Sequence, residues 1–254
     1  MARIIGFIFI AVAFVSGCAT TEYGTGTHTQ DIYFYSTEKE VAIGQSISKQ
    51  LEKQVKLSRN PTDLEKINRI GAKIAAVCDR KEINYYFSVI EEKEVNAFSV
   101  PGGYVYVYKG LIDLLSEDEL AYVVAHEVSH IVSRHSIKKL QAAMGANLLI
   151  LATSQAKTSP GFHQGLSFAL GQLFAAYSRE DEFNADELAC KYLNLAGLDP
   201  SVGIRVLDKL YLENKKASLR KFSYFRTHPY VDQRIRHIKE YLGLPLDVKD
   251  YINQ

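Results

Sequence analysis

The chain has almost no net charge: 30 lysines and arginines face 29 aspartates and glutamates in 254 residues, a balance of +1. Nothing in that balance invites a nucleic acid or another polyanion as partner. Long hydrophobic runs are also missing. The N-terminal one, Ile4 to Val15, is too short for a comfortable membrane span of about 20 residues. Two later apolar pieces, Ala142–Thr153 and Gly165–Tyr177, are split by Lys157-Thr158-Ser159-Pro160-Gly161. Each reads as buried core helix, or as a hairpin over a site, rather than as a membrane-embedded loop. Internal repeats are absent, so the length allows one sizeable domain with appendages. Cysteine is scarce, at three residues.

The first of the three lies in an informative place. Met1-Ala2-Arg3 is a short positive start, an apolar run follows, and Val15-Ser16-Gly17-Cys18 offers small residues where cleavage would fall. This resembles a bacterial lipoprotein signal, which implies acylation of Cys18 as the mature N-terminus. A plain signal peptide or short anchor is the alternative. Ala19 rather than Asp after the cysteine implies, by the same resemblance, the periplasmic side of the outer membrane. The expected organisation is a signal over 1–17, a lipid-anchored tether over 18–35 and one domain over 36–254. In an oxidising compartment Cys78 and Cys190 can pair or remain buried thiols, because spacing alone does not give the Cα separation a bridge needs.

Helical periodicity begins after Ser36, with Val41, Ile43, Ile47 and Leu51 on one stripe, and breaks at Asn60-Pro61-Thr62. A second helix over about 62–78 carries Leu64, Ile67, Ile70, Ile74 and Val77. Strand patterns follow in Tyr85–Ile90, Val95–Val100 and Tyr104–Tyr108, and Pro101-Gly102-Gly103 predicts a turn between antiparallel neighbours. Ser116 with Glu119 forms a capping-box signature for a helix expected to run to about Leu140, burying Leu120, Val123, Val124, Val128 and Ile131. The fold class is therefore α+β, mainly helical, with a small antiparallel sheet beside that helix.

The helix carries His126-Glu127-Val128-Ser129-His130, a complete H-E-x-x-H. Histidines four apart present two imidazoles from one helix face, the arrangement two ligands of a tetrahedral zinc need. Glu127 flanks that face, where a carboxylate can reach a metal-activated water. A metzincin would need Gly and His three and six residues after His130, but Ser133 and Ser136 stand there. His135 is five helical steps on, which would carry it roughly to the opposite side. Further on, Glu182 and Asp186 share a helix face in apolar surroundings; one can bind the metal while the other hydrogen-bonds a ligand imidazole.

The set HEVSH, YSREDEFNAD, VNAFSVPGG and THPYVDQR resembles the gluzincin metallopeptidases that include HtpX-type heat-shock proteases and CAAX prenyl endopeptidases, most of all their small exported lipoprotein members. It spreads over about residues 36–240. The resemblance implies a zincin-like domain holding one Zn2+ through His126, His130 and Glu182, with Glu127 as general base and Asp186 behind the ligands. Asn96, Ala97 and Phe98 match the family's active-site edge strand, to which an extended peptide can add. His228 and Arg234 match its C-terminal motif: His228 could donate to the oxyanion or visit the open zinc position, and Arg234 could orient substrate or structure. His28, His163 and His237 lack a partner pattern. The implied activity is zinc-dependent endopeptidase action on misassembled envelope proteins, with outer-membrane assembly machinery as a candidate partner. A chaperone-like or scaffold factor with latched or vestigial proteolysis is the alternative.

Overall fold

A computed structural model describes residues 20–21, 32–33, 35–144, 165–216 other than 166, 170 and 173, and 224–247. The signal, Cys18, His28, His163 and most of the 142–164 stretch lie outside the described residues.

Two short strands, β1 (Thr20–Thr21) and β2 (Ile32–Tyr33), pair antiparallel within the stretch expected to be a tether. Tyr35 is buried. Helix α1 (Thr37–Leu51) starts at Ser36, whose hydroxyl accepts from the Lys39 amide, and α2 (Pro61–Ala75) starts at Asn60 with proline in its first turn. Both starts use side chains that satisfy otherwise unpaired helix amides. Gly44 lets α1 lie directly on the turn of the sheet: a Cβ there would sit 1.7 Å from the Pro101 carbonyl oxygen.

Strands β3 (Tyr86–Ile90), β4 (Ala97–Val100) and β5 (Tyr104–Tyr108) form a sheet in the order β3-β5-β4. The Pro-Gly-Gly turn closes the expected antiparallel β4–β5 hairpin, with Phe98 opposite Tyr106. The sheet is nevertheless mixed, because β3 runs parallel to β5, with Tyr86 opposite Tyr104. The segment between β3 and β4 crosses over, so β5 returns beside β3. That leaves β4 at an edge.

Helix α3 (Lys109–Leu114) leads into α4 (Glu117–Val132), which begins with the predicted capping box of Ser116 and Glu119. Every residue of α4 from Leu120 to Val132 is buried. It is a central helix, covered on all sides. It does not run to Leu140. It ends at Ser133, Arg134 takes a left-handed conformation (φ 56°), and α5 (His135–Met144) sets off anew.

A left-handed arginine is costly, and the surroundings hold it. Its Nε donates to Glu40 Oε2 at 2.8 Å and its Nη2 to the Tyr35 carbonyl at 2.8 Å. Arg80 grips the same carboxylate with two 2.9 Å bonds and caps the Ile131 carbonyl at 3.1 Å.

Helix α6 (Arg179–Leu195) packs along α4, and α7 (Val202–Lys216), the short α8 (Tyr224–Thr227) and α9 (Val231–Tyr241) close the far side. Cys78 and Cys190 are buried free thiols, so no bridge joins them. No helix among the described residues is long and apolar enough to cross a membrane.

Candidate metal centre

Three helices and one turn converge on one point. Helix α4 supplies His126, Glu127 and His130. Helix α6, started by a second capping box between Ser178 and Asp181, supplies Glu182 and Asp186. The turn after α8 supplies His228, and α9 supplies Arg234. All seven side chains are 0% exposed.

His126 Nε2 lies 3.1 Å from His130 Nε2, and each lies 3.5 Å from a different oxygen of Glu182. His228 Nδ1 lies 3.3 Å from His126 Nε2 and 3.0 Å from Glu182 Oε1. One ligand atom from each of these four residues falls within 4.8 Å of the other three. Ligand atoms at about 2.1 Å from a tetrahedral zinc stand about 3.4 Å apart, and the short edges of 3.0 to 3.5 Å suit such an ion. The Glu127 carboxylate agrees. Both of its oxygens are buried and accept no hydrogen bond from the protein, with His228 Nε2 as an ion contact 3.2 Å from Oε1, a costly arrangement that a metal-bound group would relieve. The donor set fits a divalent metal.

The atoms behind this shell fix its orientation. His126 Nδ1 lies 2.9 Å from Asp186 Oδ1, which leaves Nε2 bare toward the cluster. Asp186 also accepts from Tyr122 Oη at 2.6 Å and from Arg234 Nε and Nη2 at 2.8 Å each. Arg234 Nη1 stands 2.8 Å from Glu182 Oε2. One guanidinium therefore faces both carboxylates of α6. Tyr177 stacks on His130 with ring centres 3.9 Å apart, and its hydroxyl bonds Ser136 at 2.8 Å. Tyr224 stacks on His228 at 4.7 Å.

Charge states follow from burial set against partners. Burial alone would raise the Glu127 carboxyl, but His228, His130 and His126 outweigh it and hold the pKa at about 2. Burial works against protonating His228, yet the Glu182 and Glu127 carboxylates lift it to about 9. Burial pushes His130 down to about 4, against the pull of Glu182, and His135 down to about 3. Burial would also raise Glu182 and Asp186; Arg234 overrides it and holds both below the usual carboxylate range. In the metal-free chain Glu127 is thus ionised and faces His228 Nε2 at 3.2 Å.

The structure gathers His126, Glu127, His130, Glu182, Asp186, His228 and Arg234, all anticipated from the sequence. Asn96, Ala97 and Phe98 sit at the head of edge strand β4, fully enclosed, with Phe98 packed on Tyr106 and Phe174. His237 lies apart from the site, stacked on Phe183 and bonded to Glu187 at 2.7 Å. One expectation is overturned. His135 does not face away from His130; the helix break at Ser133-Arg134 swings it back, and the two Nδ1 atoms lie 2.9 Å apart. Tyr122, Tyr177 and Tyr224 were missed. Tyr122 alone had a signal, standing four residues before His126 on the same helix face.

The model of peptidase family M48 matches residues 61–242. Mitochondrial metalloendopeptidase OMA1 of Schizosaccharomyces pombe is 29% identical over 188 residues, 73% of this chain and 54% of that protein. The beta-barrel assembly-enhancing protease of Escherichia coli is 27% identical over 218 residues, 79% of this chain and 43% of that protein. Metalloprotease YcaL of Escherichia coli is 25% identical over 248 residues, 92% of this chain and 94% of that protein. The chain spans about half the length of the first two relatives. With a match over more than two thirds of its length, and a buried His-His-Glu-His cluster at the heart of the matched span, the chain belongs to peptidase family M48.

Proposed function

We propose that the protein is a zinc-dependent endopeptidase of the bacterial cell envelope, with His126, His130 and Glu182 as metal ligands and Glu127 as general base. The observation that carries this reading is the convergence of four buried ligand atoms within 4.8 Å of one another, with the buried Glu127 carboxylate beside them. Bound zinc supplies Lewis acidity at the scissile carbonyl and lowers the pKa of water. Glu127 takes the proton of the attacking water and delivers it to the leaving amine. Asp186 and Arg234 hold the imidazole of His126 and the carboxylate of Glu182 in place. Edge strand β4, with Asn96 just before it, is the candidate platform for an extended peptide.

The lipoprotein-like start supports anchoring at Cys18, with residues 1–17 as signal, 18–35 as tether and 36–254 as the peptidase domain. The substrates in this reading are misassembled envelope proteins and the partner is outer-membrane assembly machinery; the name of one relative, a beta-barrel assembly-enhancing protease, supports the link to assembly. The test compares zinc stoichiometry and casein cleavage in the wild type, Glu127→Gln and Glu182→Gln. The expected result is one zinc per chain in the first two, cleavage only in the first, and metal loss only in the third. Unchanged cleavage by Glu127→Gln sinks the mechanism.

His228 favours a second element of the reading. It takes the fourth corner of the cluster, a four-residue set of the kind found in closed structural zinc sites, which supports a latched resting state. The scaffold alternative takes the latch further, to proteolysis that never matters. Complementation of a deletion strain by Glu127→Gln separates the two, since a scaffold survives that change.

A further inference from the structure

We propose that His135 is a positioning residue for the metal centre: it receives the Nδ1 proton of His130, and Asp181 fixes the tautomer in which it can do so. The inference rests on the metal reading above, because that reading assigns Nε2 of His130 to the metal.

Two imidazole nitrogens at 2.9 Å share a single proton, so one donates and the other accepts. His130 turns Nε2 toward His126 and Glu182. A neutral imidazole that presents a bare Nε2 carries its proton on Nδ1. His130 is therefore the donor and His135 the acceptor. His135 must then carry its own proton on Nε2, and that atom faces Asp181 Oδ1 at 3.4 Å. The order His130, His135, Asp181 mirrors, on the second histidine, what Asp186 and Arg234 do for His126. Both metal-facing imidazoles thereby gain an oriented partner, and neither partner is a neighbour on the helix of its ligand.

The local backbone permits this contact. An uninterrupted helix would carry His135 away from His130. The left-handed Arg134 turns the chain back, and Glu40 and the Tyr35 carbonyl hold Arg134 in that conformation. His135 is 3% exposed, boxed in by His130 and Tyr177 with ring centres at 5.0 and 6.3 Å.

The test is a zinc titration of the intact chain against a competing chromophoric chelator, with casein turnover measured in parallel. Loss of a hydrogen bond that orients a metal ligand commonly costs about 10- to 100-fold in metal affinity. His135→Leu is expected to lose about that much. His135→Asn can place an amide oxygen where Nδ1 stood and is expected to stay within about threefold of wild type. His135→Gln places its amide one carbon further out and is expected to behave like His135→Leu, so the Asn and Gln pair decides the matter if His135→Leu does not fold. A packing role alone would lower the unfolding temperature of the metal-free variants without separating Asn from Gln in zinc affinity. Equal affinity of the Asn and Gln variants, or wild-type affinity in His135→Leu, overturns the proposal and leaves the metal reading intact. A wild-type chain that takes up no zinc overturns both.

Discussion

Arg234 grips Asp186 with two hydrogen bonds, Nε to Oδ2 and Nη2 to Oδ1, each 2.8 Å long and out of reach of solvent. A fork of this kind fixes direction as well as charge. Because Nη1 also faces Glu182, the one cation offsets two buried anions, and its removal should act on fold and site together.

Arg234→Leu leaves Asp186 without its guanidinium partner and Glu182 with His228 as its remaining cation. Breaking a buried pair from one side costs about 3–5 kcal/mol. The expected outcome is a loss of that size in urea unfolding of the metal-free protein, together with weaker zinc binding. Arg234→Lys restores the charge but not the planar fork and should recover only part of the loss. Wild-type stability in Arg234→Leu would remove the clamp from the account.

Replacing His228 separates a latch from a participant in the reaction. His228→Asn should loosen zinc less than His130→Asn does, since His126, His130 and Glu182 all remain. With the fourth corner cleared for water, casein turnover should rise. A fall in turnover at full zinc occupancy would instead place His228 in the reaction, as a donor to the developing oxyanion.

At Gly44, helix propensity and packing predict opposite signs. Alanine in a helix interior is favoured over glycine by about 1 kcal/mol. The added methyl would, however, collide with the Pro101 carbonyl, and forced overpacking costs about 1–3 kcal/mol. Packing wins, so Gly44→Ala should lower the urea midpoint. A raised midpoint would mean that α1 can shift freely on the sheet.

Glu119 gives an acid-sensitive contribution away from the metal centre. Burial would raise its carboxyl, but Lys209 Nζ at 2.8 Å and the Ser116 amide at 2.8 Å hold it below the usual carboxylate range. A carboxyl depressed in the folded state stabilises it fully above the ordinary value of about 4.3, and that stability is lost as pH falls through the folded value. Glu119→Gln should cost about 1 kcal/mol at pH 7. It should also flatten the acid limb of a stability profile taken between about pH 6 and pH 3. A limb of unchanged slope would assign the acid loss to other carboxylates.

Local rules made the centre of the molecule legible before any coordinates. Histidines four apart, Glu182 and Asp186 four apart, and the capping box of Ser116 and Glu119 are all consequences of one helical repeat, and each stands where that repeat puts it. Where a single residue broke the repeat, the reading failed. Arg134 has no compositional mark of a left-handed residue. The parallel pairing of β3 with β5 escaped for a related reason: Pro101-Gly102-Gly103 specifies its own hairpin and says nothing of the strand on the other side. Tyr177 and Tyr224 reach the site from segments whose approach only the tertiary structure defines. Cys78 and Cys190 were undecidable from spacing, and the fold buries them as separate thiols.

The arginine pair beneath the helix break carries a lesson about where this protein can be cut. Arg80 and Arg134 share one counter-ion, Glu40, and that glutamate belongs to α1, the first helix of the chain. A version trimmed back to α2 would keep every residue of the metal centre and still strand two guanidinium groups in the interior. The smallest piece able to fold by itself is therefore larger than the smallest piece that contains the chemistry, and it starts no later than Tyr35.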